Sequence, residues 1–129
     1  MVCLVTSVII DILRGKKEVE ILLDKLEKNS DIITITTITL MELINGVYLN
    51  NKSPNELEKI NQLLESFIIL DFNRESAFTA GKIEASLTKQ GEKIEIEDIM
   101  IGAIALVNNE KLITKNHKHF SKIKDLEIE

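Results

Sequence analysis

The stretch VCLVTSVIIDILRG, residues 2–15, opens with four apolar positions, breaks at Thr6-Ser7, runs apolar again to Leu13 and stops at Gly15. A short apolar run bounded by a turn signal reads as a buried strand, Val2 to Val5, and the longer run after it as a helical start. The alternation recurs outward along the chain. Ile32–Thr36 is rich in β-branched residues and reads as a second strand, followed by a helix from about Thr39 to Asn50. Phe67–Asp71 reads as a third strand, followed by a helix that Asn73 can cap and Gly91 closes after about Gln90. Asp98–Asn108 is apolar almost all round and marks a helix buried among other elements. Lys111–Thr114 is a fourth strand, and Leu126–Ile128 offers a fifth. Residues 18–28 form an amphipathic helix. Residues 54–66 form another, with Ser53 as N-cap, Pro54 at the first position and Glu56 closing a capping box. Strands separated by helices imply crossovers, hence an α/β fold with a parallel sheet of four to five strands flanked by helices. In such sheets ligands bind at the carboxyl ends of the strands. Function is therefore sought near Val5–Ser7, Asp71 and Thr114–Asn116.

The rest of the composition narrows the class. A chain of 129 residues with 44% apolar and 29% charged residues has the balance of one globular domain, residues 1–129. One proline and no Gly/Ser-rich stretch give no linker. One cysteine excludes an internal disulfide and fits a reducing, cytoplasmic setting. No apolar run reaches the roughly 18–20 residues of a membrane span, and the N-terminus lacks the basic leader of a signal peptide.

Several chemistries lack their motifs: there is no Gly-rich phosphate loop, G-x-S-x-G elbow, H-E-x-x-H or C-x-x-C. Cys3 lies inside a strand and reads as inert core. His117 and His119 sit in a lysine-rich segment and read as solvated surface. Carboxylates in unusual places remain. Glu42 lies in an otherwise apolar helical start, where Thr39-Leu40-Met41-Glu42 forms a capping box that by itself accounts for it. Glu97 and Asp98 open the most buried helix, where an acid meets the macrodipole favourably. Asp98 heads an element with little polar surface, which places its carboxylate near the end of the sheet.

Four segments together resemble the PIN-domain nucleases, and within them the VapC-type toxins of toxin–antitoxin pairs. These are Cys3–Asp11 (CLVTSVIID), Thr36–Leu43 (TTITLMEL), Ile96–Ala103 (IEDIMIGA), and Leu112–Asn116 (LITKN) with His119-Phe120 after it. The resemblance implies a three-layer PIN-like domain and metal-dependent hydrolysis of RNA phosphodiesters with Mg2+ or Mn2+. It implies that Glu42 and Asp98 hold the metal and its water, and that Asn116 supports them at a position the family fills with aspartate or asparagine. It leaves Thr6, Thr114 and Lys115 as candidates for positioning substrate. It also implies a cognate antitoxin, a homodimer and an RNA substrate, with no membrane partner. One position departs from the pattern. The family's first aspartate directly precedes the Thr-Ser pair, and here Val5 stands there. A hydrocarbon side chain cannot coordinate a cation, so the expectation is an impaired nuclease. The alternative is an inactive PIN domain kept for binding RNA or antitoxin. Asp11, six residues on, is not expected to substitute. A receiver-like domain would need an acidic pair after the first strand, which Thr6-Ser7 does not supply.

The net charge of −5 argues mildly against a nucleic-acid ligand. Its distribution softens that objection: Lys111 to Lys124 holds five lysines and no acid, beside the Asn116 motif. A solvated lysine-rich face is the plain alternative.

Overall fold

The computed structural model describes residues 1–51 and 54–129. Among them the element order is β1 (Val2–Leu4), α1 (Thr6–Leu13), α2 (Lys17–Lys28), β2 (Ile33–Thr36), α3 (Thr37–Leu49) and α4 (Pro54–Leu64). β3 (Ile68–Leu70), α5 (Arg74–Lys89), α6 (Ile96–Val107), β4 (Lys111–Ile113) and the short α7 (His117–Phe120) follow. The Ser53 cap lies outside the described residues. The sheet has order β3-β2-β1-β4 and every pairing is parallel. β1 is central, with Cys3 and Leu4 wholly buried, because hydrogen-bonded neighbours on both edges and helices on the faces leave no water-facing side. Burial pushes the Cys3 thiol up to about 12, which removes it as a nucleophile and fits the inert-core reading.

Leu126–Ile128 does not form a full fifth strand. Ile128 makes a single parallel bridge to Leu112, and the backbone around it bonds along β4. The sequence there alternates Leu126, Glu127, Ile128, Glu129, and only the two apolar residues are drawn toward the sheet. α6 starts two residues earlier than expected and buries Ile99, Ile101, Gly102, Ala103, Ile104 and Ala105, in keeping with an apolar surface all round. It packs on α5 and α3.

One start differs in a way that bears on the site. α3 begins at Thr37, with Thr36 as N-cap: the Thr36 hydroxyl accepts the Thr39 amide at 3.1 Å. The expected capping box of Thr39 and Glu42 is therefore not made. Thr36 is the last residue of β2, so strand passes into helix with no loop, and both threonines are fully buried. Glu42 is left one turn inside the helix, with its carboxylate free for another partner.

Candidate active site

The strand order switches sides at β1, with β2 and β3 to one side and β4 to the other. The crevice of such a fold opens at the carboxyl ends of the strands flanking that point. Val5 stands there. Its amide donates to the Ile113 carbonyl at the end of β4, and its own carbonyl accepts from Val8 and Ile9 in the first turn of α1. It is the N-cap of α1 in extended conformation, but offers no side-chain oxygen to the helix, and its side chain is buried.

On the β2 side, Thr6 Oγ1 lies 2.6 Å from Glu42 Oε1 and 3.1 Å from Thr39 Oγ1. A hydroxyl has one proton, and the short contact to the carboxylate takes it. Thr39 is then the donor toward Thr6, and its own oxygen lies 3.4 Å from Thr36 Oγ1. A run of three hydroxyls, two of them fully buried, thus fixes the carboxylate of Glu42 against the start of α1. Beyond it a groove of about 240 Å³ is lined by Leu13, Arg14, Gly46, Asn50 and Glu56 as well as Glu42.

On the β4 side, Asp98 occupies the first turn of α6 with its side chain 24% exposed. Its Oδ2 lies 3.5 Å from His119 Nδ1. Burial raises the Asp98 pKa above the usual carboxylate value, with Glu95 and Glu97 adding to the rise and His119 opposing it. The same His119 nitrogen lies 2.8 Å from Asn116 Nδ2. Thr114 is buried, and its hydroxyl accepts the Asn116 amide at 2.9 Å, which turns the chain sharply after β4.

Thr6, Glu42, Asp98, Thr114 and Asn116 thus lie beyond the carboxyl ends of the strands in two groups, Thr6 with Glu42 and Asp98 with His119 and Asn116, and Val5 follows β1 with its amide on the end of β4. Lys115 is engaged elsewhere: its Nζ lies 2.5 Å from Asp11 Oδ2 and 4.0 Å from Glu18. Asp11 is nearly buried and also pairs with Lys16 at 3.2 Å, so it is committed to holding α1 against the segment after β4. The lysine-rich segment is likewise less free than its charge suggests. Lys111 pairs with Glu129 and Lys122 with Glu92, leaving Lys118 and Lys124 as the members of that run without an ion pair among the described residues.

His119, quoted with the fourth motif but read as solvated surface, faces both Asp98 and Asn116. The available signal was its spacing: Asn116 and His119 are three apart, which on a helical turn puts them on one face. As for a divalent ion, the donors present are two carboxylates and an amide. Among the described residues no group of three or more His, Cys, Asp or Glu side chains is arranged to hold a metal. That set suits a hydrated magnesium or manganese ion held through one or two carboxylates, not one wrapped in protein ligands.

The model of the PIN domain matches residues 2–126. The chain belongs to the PIN-domain family. Ribonuclease VapC2 of Rickettsia felis is 33% identical over 107 residues, spanning 83% of this chain and 79% of that protein. Ribonuclease VapC of Rickettsia bellii is 33% identical over 126 residues, spanning 95% and 90%. The crystal structure of VapBC2 from Rickettsia felis, bound to a DNA fragment from their promoter, superposes with a TM-score of 0.91 at 30% identity, over all of this chain and 98% of the matched one. The parallel sheet flanked by helices is the PIN fold, and the resemblance read from four short motifs extends over nearly the whole chain.

Proposed function

We propose that this PIN domain is the ribonuclease toxin of a toxin–antitoxin pair, that it hydrolyses RNA phosphodiesters with magnesium or manganese, and that Val5 impairs it. The observation that carries the reading is the Thr6–Glu42 hydrogen bond at the carboxyl end of the sheet, which joins two of the motifs across 36 residues. The VapC names of its relatives and the VapBC assembly of its structural neighbour support the toxin role and an antitoxin partner. A divalent ion held by Glu42 and Asp98 would supply activated water and stabilise charge on the phosphate. The chain's own residues do the rest. Thr6 orients Glu42 through its hydroxyl, backed by Thr39. Asn116 and Asp98 both face His119, Asn116 on a turn that Thr114 holds. Lys115 reaches this end of the sheet only as a neutralised partner of Asp11, so its part in orienting RNA is indirect.

Val5 withholds one oxygen ligand from this set, and residues of one site act as a unit, so activity falls steeply when a member is missing. A homodimer, RNA as the bound polymer and a cytoplasmic setting complete the reading. Exposed Met41, Tyr48 and Leu49 on α3 and Phe78 on α5 are apolar surface that a protein partner would cover. Among the described residues no helix is long and apolar enough to cross a membrane.

The second reading, an inactive PIN domain kept for binding, rests on Val5 and on the pairing of three of the five lysines. Cleavage of RNA with magnesium or manganese, by this chain and by Val5→Asp, tests both. Strong gain in the aspartate form supports an impaired nuclease. Equal cleavage by both forms refutes impairment, and cleavage by neither favours the binding module.

A further inference from the structure

We infer that His119 is a positioning residue of the site, coupling Asp98 and Asn116 through one ring nitrogen; the inference rests on the nuclease reading above and assigns a residue to it. Nδ1 faces both groups, 2.8 Å from the Asn116 side-chain amide and 3.5 Å from Asp98 Oδ2. One nitrogen cannot accept from an N–H and donate to a carboxylate together, so the joint contact is an Nδ1–H shared between Asp98 Oδ2 and an Asn116 amide turned to present Oδ1. Asn116 occupies the N-cap position of α7, yet its side chain makes no cap and turns to the imidazole instead. A short polar residue gives up its usual local bond only where another replaces it.

The backbone explains how the ring arrives there. Gly102 lies one turn after Asp98 on α6, and Ile123 lies four residues after His119. A Cβ on Gly102 would stand 2.6 Å from Ile123 Cδ1. The missing side chain lets the segment after α7 seat Ile123 directly on α6. Phe120 and Ile123 are both buried, so His119 stands on a fixed stub. Asp98 and Gly102 share one face of α6, and His119 and Ile123 meet that face at matching spacing. The packing pair sets the polar pair.

Groups that hydrogen-bond a metal-ligating carboxylate typically contribute 10–100-fold to metal affinity. His119 therefore acts through Asp98, and its removal loosens both Asp98 and Asn116.

The experiment has a metal-free arm and a metal arm. In the chain as it stands, nitrogen NMR at fixed pH follows His119 Nδ1 while Asp98→Asn and Asn116→Ala are introduced one at a time. Each substitution is expected to shift that resonance with the amide spectrum of the fold otherwise retained. In the Val5→Asp form, manganese titration is expected to show His119→Ala weakened 10–100-fold, and His119→Asn, whose amide reaches the place of Nδ1, largely restored. An Nδ1 resonance unmoved by either substitution overturns the inference, as does manganese affinity unchanged by His119→Ala. A shifted Nδ1 with no manganese binding by any form supports the coupling and refutes the metal reading instead.

Discussion

If Glu42 and Asp98 hold a divalent ion as proposed, Val5→Asp is expected to make the protein's stability depend on that ion. Val5 is 4% exposed, so replacing it forfeits apolar burial of roughly 1.5–3 kcal/mol. Against this, position 5 is the N-cap of α1, with φ −79°, ψ 166° and no side-chain acceptor. Aspartate supplies that acceptor, for about 1 kcal/mol, and the helix macrodipole adds about 0.3–1 kcal/mol. The metal-free balance of these is a loss of no more than about 1.7 kcal/mol, deepened by desolvation of the new carboxylate at a buried position and by repulsion from Glu42 and Asp98. For a chain of this size about 4 °C of Tm corresponds to 1 kcal/mol, so a fall of roughly 4–8 °C is expected. A ligand at a hundred times its Kd returns about 2.7 kcal/mol, on the order of 10 °C. Thermal unfolding in chelator and across a manganese series, for both forms, reads these shifts. Val5→Thr serves as control: it supplies the cap oxygen without charge, and its Tm is expected to be insensitive to manganese. Equal manganese responses in the Val5 and Val5→Asp proteins would refute the reasoning, because the added carboxylate would then contribute nothing to the ion.

Thr6→Val keeps the shape and removes the donor to Glu42; a loss of about 1–1.5 kcal/mol is expected from urea unfolding, since bonds to charged groups reach ~1.5–3 kcal/mol and this one is part-exposed. Asp11 is held below the usual aspartate range by hydrogen bonding to Lys115, against a desolvation penalty, with help from Lys16. Its pairing stabilises the fold fully above the ordinary value of about 3.9 and fades as pH falls through the lower folded value, so Asp11→Asn is destabilising at pH 7 and converges with the parent in acid. Asp98 has the opposite sign: burial raises its folded pKa, so its charge is unfavourable at neutral pH and the penalty fades as pH falls through that raised value. In chelator, Asp98→Asn is expected to raise Tm at pH 7 and to lose that advantage at low pH. Gly102→Ala gains about 1 kcal/mol of helix propensity but meets Ile123 Cδ1, for a net loss on the order of 1 kcal/mol that Ile123→Val, lacking that methyl, largely recovers.

The sheet was legible because its strands are short apolar runs between helices of distinct period, and each of the four came out within a residue or two of its expected bounds. The edge was not. Leu126–Ile128 has the alternation of a strand, but nothing local says how much of it pairs, and one bridge results. At the site, Glu42 shows how a local rule yields to a neighbouring one. Thr39 and Glu42 fit a capping box, but Thr36 offers the same hydroxyl three residues earlier, and the strand delivers it already extended. The helix starts sooner, and Glu42 is released to Thr6. Long-range pairings were beyond sequence reasoning. Lys115 reads as a candidate for positioning substrate until Asp11, 104 residues away in the chain, is found beside it.

Those pairings bear on why the chain tolerates Val5 at all. Carboxylates gathered in a crevice repel one another and ordinarily need a cation. Here Glu42 accepts from Thr6, and Asp98 faces His119, so each acid has a partner within the chain. Valine, uncharged and buried, completes the apolar contact between β1, α1 and the end of β4 without adding to the repulsion. The arrangement pairs both acids without calling on an ion. On the proposed nuclease reading, an aspartate at the same position would exchange that self-sufficiency for a third ligand. Two chains differing at one residue would thus share a fold while differing in whether a divalent ion is part of it.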